Sequence, residues 1–180
     1  MLAAAADVLV ISRDAQLFMT APFISAANGD KSENAGSAEA AAKAGVASIV
    51  ADDENAALAK VRTLLTMLPQ NNLASLPLFD FTDSTEPLDP AGCPKLIVKA
   101  VADADSLVEL HAEYGKGVYT FLGTMAGATT AFVTTSKENA LDSDACDKAA
   151  RFVRICDAYN IPIVTFIDSK GFALDANVAV

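Results

Sequence analysis

The chain has 180 residues, just over half of them hydrophobic, and a formal net charge of -10 with a pI near 4.4. Such an acidic balance excludes nucleic acid and anionic membrane surfaces as partners, because both demand clustered lysine and arginine. No apolar run approaches the length that crosses a bilayer as a helix, so the chain is not itself transmembrane. Trp is absent and aromatics are few, so any core is built from Ala, Val, Leu and Ile. The three cysteines, Cys93, Cys146 and Cys156, form no CxxC pair. Their odd count fits neither a disulfide framework nor a tetrahedral metal site, and reduced thiols of a cytoplasmic protein are the expectation. The opening MLAAAADVLVIS has no basic segment and is interrupted by Asp7, unlike a secretory signal.

Residues 6–12 (ADVLVIS) read as a short buried strand. Residues 14–20 are partly apolar and end before Pro22, and Phe23 to Ala27 read as one helical turn stopped at Asn28-Gly29. Residues 30–36 are small and polar, a loop by composition. Residues 37–44 are alanine-rich, with Glu39 and Lys43 at the i,i+4 spacing of a helix that Gly45 ends. Val46 to Val50 then form a strand. Asp52, Asp53 and Glu54 read first as the capped start of the next helix, and only secondarily as metal ligands. That helix spans 54–68 with Ala57, Val61, Leu64, Leu65 and Leu68 on one face, and Pro69 closes it.

From Gln70 to Pro94 prolines crowd the chain and periodicity is lost, which marks a linker between two patterned blocks. Its Leu76, Leu78, Phe79 and Phe81 suggest that it lies along a surface. The second block is expected to open with a strand over 95–102 (KLIVKAVA) and a helix over 105–114 (DSLVELHAEY). Strands over 118–125 and 128–135 follow, broken at Ala126-Gly127. The long helix over 143–159 shows a stripe of Phe152, Ile155, Cys156 and Tyr159, with Lys148, Arg151 and Arg154 on the opposite side. Residues 161–167 are an unbroken apolar and β-branched run, the pattern of a strand covered on both faces. The two blocks repeat a loose order of strands and helices, and both ends resemble cuts through a larger α/β fold.

Ligands of open α/β folds sit outside the carboxyl ends of strands. This points to Asp168-Ser169-Lys170-Gly171-Phe172, where Gly171 admits a close backbone approach and a turn N–H can hold an oxyanion. An ordinary strand-to-helix turn is the plainer reading of the same residues. His111, the single histidine, is expected on a helix surface or boundary, without partners for catalysis. Gly115-Lys116-Gly117 fails the phosphate-loop spacing and reads as a helix end. Lys148, Arg151 and Arg154 form either a solvated face or a surface for the phosphates of an anionic ligand such as coenzyme A.

Lys148 to Phe172, KAARFVRICDAYNIPIVTFIDSKGF, closely resembles a segment of the carboxyltransferase subunits of biotin-dependent acyl-CoA carboxylases and decarboxylases. That family segment reads K-x-A-R-F-x-R-x-C-D-x-[FY]-N-I-P-[IL]-V-x-x-x-D-x-x-G-F. Lys43 to Asn72 resembles the family's S-G-V-A…D-D-E-x-A…V-R-x-L-L-x-x-L-P-x-N-N. ADVLVIS and FMTAP resemble its strand followed by F-x-T-G-P. The resemblance implies a crotonase-like (ClpP/crotonase) α/β fold, a ββα spiral with parts of two repeated domains. Residues 1–70 would be the C-terminal part of the first carboxyltransferase domain, 71–94 a linker, and 95–180 the N-terminal part of the second.

The implied function is movement of a carboxyl group between carboxybiotin and a short-chain acyl-CoA of the propionyl or methylmalonyl type. The alternatives are a sodium-pump-type acyl-CoA decarboxylase subunit and a non-catalytic crotonase-like interaction module. The resemblance places Asp168, Gly171 and Phe172 at the biotin side and Ala44, Gly45 and Val46 at the acyl-CoA side. The catalytic backbone oxyanion loops are expected outside the chain, so the fragment alone is expected to be inactive, and no metal is implied. The implied partners are a biotin carboxyl carrier protein, which brings the biotin, and further copies of the subunit, with the active site between protomers. Several positions depart from the family pattern. T-G-P is Thr20-Ala21-Pro22, the serine of S-G-V is Ala44, and the glycine-proline corner D-x-P-G-F-x-P-G is Asp168-Ser169-Lys170-Gly171-Phe172-Ala173-Leu174-Asp175.

Overall fold

The computed structural model describes residues 3–18, 20–29, 36–89 and 92–173. A 3-10 turn at Ala3–Ala5 leads to β1 (Val10–Ser12), shorter than the strand expected there. Then come α1 (Pro22–Ala27), α2 (Ala38–Lys43) and β2 (Ile49–Ala51). β1 and β2 pair in parallel, Val10 opposite Ile49, with α2 in the crossover. α2 starts as its sequence predicts: the Ser37 hydroxyl accepts the Ala40 amide at 3.1 Å. Its small buried face, Ala38, Ala41 and Ala42, packs with Ile11 and Ala47.

The next helix, α3 (Glu54–Met67), is capped by Asp53, whose Oδ1 accepts the Ala56 amide at 2.7 Å. Asp52 pairs with Arg13 at 2.6 Å. Asp53 and Glu54 thus serve the start of the helix, while Asp52 is tied to Arg13. The inward face is narrower than the sequence suggests: Leu64 and Met67 are buried, whereas Leu65 is 64 % exposed.

Two expectations for the second block are reversed. Residues 95–102 are not a strand; 95–101 belong to α4 (Pro94–Val101) and Ala102 caps it. Pro94 takes the first helical position, where a missing N–H costs nothing. Pro94, Val98 and Ala102 are buried at i,i+4 spacing while Leu96 faces out. Lys95 ties the helix to the sheet through Glu109 at 2.7 Å and through the Tyr119 ring, 4.6 Å from its centroid. Residues 105–114 are likewise not a helix; they carry β3 (Val108–Leu110) and the bend after it. The alternating Val108-Glu109-Leu110 is matched by cross-strand partners Leu122, Phe121 and Thr120. His111, at φ 53°, ends the strand in a conformation that no helix interior accepts.

β4 (Val118–Met125) and β5 (Ala128–Thr135) form the predicted hairpin with unbroken register, Phe121 opposite Phe132. The Asp103 carboxylate grips its tip, accepting the Ala126 and Gly127 amides at 2.8 and 2.9 Å. α5 (Ser143–Ala158), capped by Asp142, crosses over to β6 (Ile163–Phe166), which joins β5 in parallel. The second sheet therefore runs β3-β4-β5-β6. β6 is not covered on both faces as its composition suggested. Among the described residues it has one strand neighbour and is only half-buried.

One face of this sheet packs on α4 through Val98, Phe121 and Phe132. The other packs on α5 and α3, joining Leu64 and Met67 to Leu110, Leu122, Phe152 and Cys156. The linker rides on the surface as expected, with the Phe79 amide donating to the Gly127 carbonyl at 2.8 Å.

Candidate functional site

The end of β6 turns at the corner singled out in the sequence. The Asp168 amide donates to Thr135 Oγ1 at 2.8 Å, and its carboxylate meets Lys137 Nζ at 2.9 Å. Gly171 adopts φ 96°, and a Cβ built on it would find nothing within 4 Å. The surrounding backbone is pinned to residue 141: the Leu141 amide donates to the Gly171 carbonyl at 2.9 Å, and the Ala173 amide to the Leu141 carbonyl at 2.8 Å. The Gly171 N–H makes one long bond, 3.3 Å, to Ser169 Oγ. Phe172 holds its ring outward at 74 % exposure. The corner is therefore fixed in place, free of side chains at Gly171, and flanked by an exposed aromatic ring.

Ala44, Gly45 and Val46 occupy a different place, the C-terminus of α2. Their three amides close the helix onto the carbonyls of Ala40, Ala42 and Ala41 at 2.9–3.0 Å. None of the three N–H groups is left to hold a ligand. Gly45, at φ 71°, brings its backbone against the Tyr114 ring, which a Cβ would approach to 2.8 Å. Its carbonyl accepts Arg151 Nη1 from α5 at 2.9 Å.

This seam between α2 and α5 contains the residue that sequence reasoning placed wrongly. His111 is neither helical nor at the surface but 5 % exposed. Its amide donates to the Ser48 carbonyl at 2.7 Å, its ring lies near the Ala47 backbone, and among the described residues its Nδ1 is buried without a hydrogen-bond partner. Burial first, then the nearby Arg151 and Lys148 cations, pulls its pKa down to about 4. No periodicity flags this position, because a strand of three residues ending in a left-handed histidine resembles a helix in sequence.

Lys148 is a second correction. It was expected on the outer face of α5 but is 1 % exposed, with Nζ donating to the Tyr114 carbonyl at 2.9 Å. Burial draws its pKa down to about 8. Buried ammonium groups are rare unless paired, so Lys148 serves as an internal tie between α5 and the loop after β3. The Tyr114 hydroxyl completes that tie at Asp144 Oδ1, 3.1 Å away. The buried Cys156 thiol is pushed up to about 12 by desolvation, which makes it a packing group rather than a nucleophile.

Arg151 and Arg154 face a cleft of about 720 Å3 between α5, the turn after α3 and the first described residues. Among the described residues no group of three or more His, Cys, Asp or Glu side chains is placed to hold a metal ion. No helix among them is long and apolar enough to cross a membrane.

A family model described as the carboxyl transferase domain matches residues 2–178. The methylmalonyl-CoA decarboxylase subunit alpha of Veillonella parvula is 31% identical, over 94% of this chain and 37% of that protein. The methylmalonyl-CoA carboxyltransferase 12S subunit of Propionibacterium freudenreichii subsp. shermanii is 30% identical, over 92% of this chain and 35% of its own length. Among solved structures, a transcarboxylase 12S hexamer with methylmalonyl-CoA and methylmalonic acid bound superposes with a TM-score of 0.84 at 27% identity. It is matched over 97% of this chain and 37% of its own. The chain thus spans a little over a third of the length of these three relatives.

Proposed function

Because the chain belongs to the carboxyl transferase domain family, we propose that it forms part of an enzyme moving a carboxyl group between biotin and a short-chain acyl-CoA. The acyl group is of the propionyl or methylmalonyl type. The observation that carries this reading is a family match from end to end of the described fold, joined to relatives named for methylmalonyl-CoA decarboxylation, methylmalonyl-CoA carboxyl transfer and biotin-dependent acyl-CoA carboxylation. Biotin arrives on a partner carrier protein and supplies the group that accepts or releases the carboxylate.

In this reading the corner at Asp168, Gly171 and Phe172 faces the biotin ring system. Two features support it: the open space beside Gly171 admits a flat ligand to the backbone, and the exposed Phe172 ring offers an apolar surface. Ala44, Gly45 and Val46 contribute to the acyl-CoA side through shape alone, since their amides are consumed by the helix cap. No side chain here is assigned as a general base; catalysis rests on backbone N–H groups of an oxyanion type supplied by the rest of the subunit. The whole enzyme assembles from several subunits with its site between protomers, and it works in the cytoplasm. Two decarboxylase relatives, from Veillonella parvula and Propionigenium modestum, favour the decarboxylating direction as the second reading.

The test is transfer of radiolabel from carboxyl-labelled methylmalonyl-CoA to biocytin. One assay uses the 180-residue chain and another uses the same chain expressed with its flanking coding sequence. Transfer by the longer protein and none by the 180-residue chain is the expected pattern. A longer protein that folds and assembles yet transfers nothing would favour the non-catalytic interaction module instead.

A further inference from the structure

The loop between β5 and α5, residues 136–142, supports the Gly171 corner. Its base is fixed. Ser136 is 1 % exposed, its amide donates to the Gly117 carbonyl at 2.8 Å, and its Oγ accepts the Glu138 and Asn139 amides, each at 3.2 Å. Three points along this stretch then hold the corner. Thr135 Oγ1 accepts the Asp168 amide, Lys137 Nζ meets the Asp168 carboxylate, and Leu141 bonds the backbone at Gly171 and Ala173. The Lys137 side chain is 29 % exposed and that of Asp168 66 %, so the cation is the seated member of the pair. An exposed pair of this kind adds little to stability and is screened by salt. Its effect lies in where it keeps the carboxylate.

Asp168 stands three residues before Gly171, a spacing at which an aspartate side chain accepts a backbone N–H. The Gly171 N–H is weakly engaged, by its 3.3 Å bond to Ser169 Oγ, and the space beside its Cα is open. A released Asp168 carboxylate would take that N–H and set a negative charge against it. We propose that Lys137 is a positioning residue for this corner. By holding the Asp168 carboxylate it leaves the Gly171 N–H open to a ligand oxygen, and it neutralises the charge beside it. Lys137 lies outside the sequence segments that carry the family resemblance, so its part is read from the geometry alone. The identity of the ligand, a biotin ring system, rests on the reading above; the relation among Lys137, Asp168 and Gly171 does not.

The first arm of the test needs no turnover. It follows amide hydrogen exchange at Gly171 by nuclear magnetic resonance in the isotope-labelled 180-residue chain. Exchange should slow about threefold or more in Lys137→Ala, because the freed carboxylate bonds that N–H. It should return to the parent rate in Lys137→Arg and in the double variant Lys137→Ala/Asp168→Ala. The second arm is carboxyl exchange between methylmalonyl-CoA and biocytin in protein that carries this chain within its flanking sequence. Lys137→Ala should raise the KM for biocytin about threefold to tenfold with the KM for methylmalonyl-CoA unchanged, and Lys137→Arg should restore it. The double variant should match Asp168→Ala alone, an outcome that a merely structural role of Lys137 does not produce. A parent protein that transfers no label defeats the carboxyl-transfer reading alone, and the Gly171 exchange rate then decides the part of Lys137. The proposal is overturned by an unchanged Gly171 rate in Lys137→Ala or by an unaltered biocytin KM where the parent transfers label. A KM rise that Lys137→Ala adds in full to Asp168→Ala would overturn it as well.

Discussion

Gly45 and Gly171 share a left-handed backbone but not an environment. A side chain at Gly45 pays the strain of φ 71° and also drives into the Tyr114 ring, whereas at Gly171 it meets open space. Gly45→Ala is therefore expected to lower unfolding free energy by about 2–3 kcal/mol, and Gly171→Ala by about 1 kcal/mol, measured by urea denaturation. Equal costs at the two positions would remove the close approach from the account. His111 supplies a pH signature. Its folded pKa of about 4 lies below the usual 6.5, so the folded chain binds fewer protons than the unfolded chain. Its contribution to stability is whole above pH 6.5 and is lost as pH falls toward 4, by about 3 kcal/mol in total. His111→Asn tolerates the left-handed φ and removes that titration, so its stability should fall less steeply than the parent's between pH 6.5 and 4.5. Parallel slopes would contradict the buried neutral imidazole.

At the scale of elements, the Asp103 clamp sets the tip of the β4–β5 hairpin. Asp103→Ala strips the acceptor from two amides and is expected to cost about 3 kcal/mol, with Asp103→Asn losing less because one oxygen remains. Hydrogen exchange at Ala126 and Gly127 should speed up in both variants; unchanged exchange would mean that the turn holds itself. The same hairpin was readable in the sequence to the residue, because two long β-rich runs flank one Ala-Gly step. α3 and α5 were readable too, since each has an Asp cap and a sustained 3.6-residue period. α4 and β3 were not. KLIVKAVA is β-branched enough to pass for a strand, and only Pro94 and the burial of Val98 and Ala102 make it a helix. DSLVELHAEY has helical spacing, and cross-strand pairing to β4 overrides it. Lys148 was misplaced for a related reason: its polarity places it on a solvated face, whereas the loop after β3 covers it and leaves Arg154 exposed.

For the whole molecule, the crotonase-like α/β architecture expected from the sequence resemblance agrees with the transcarboxylase 12S structure across nearly all of the chain. The two blocks separated by the proline-rich linker do not stand apart. α3 shares a core with α5 and the second sheet, and Arg151 and His111 bond backbone carbonyls of the first block. α5 touches the turn at Gly45, proposed for the acyl-CoA side, and leads directly into the strand that ends at the Gly171 corner, proposed for the biotin side. That arrangement lets one helix hold both proposed binding surfaces; the strand-end glycine that suggested the corner was legible in the sequence, whereas the seam of Gly45, Tyr114 and Arg151 was not. The account is tested most directly by carboxyl exchange between methylmalonyl-CoA and biocytin, using protein that carries this chain within its flanking sequence, with and without Gly171→Val. The prediction is a KM for biocytin raised about tenfold or more, with the KM for methylmalonyl-CoA unchanged. An unaltered biocytin KM, or a change confined to methylmalonyl-CoA, would contradict it.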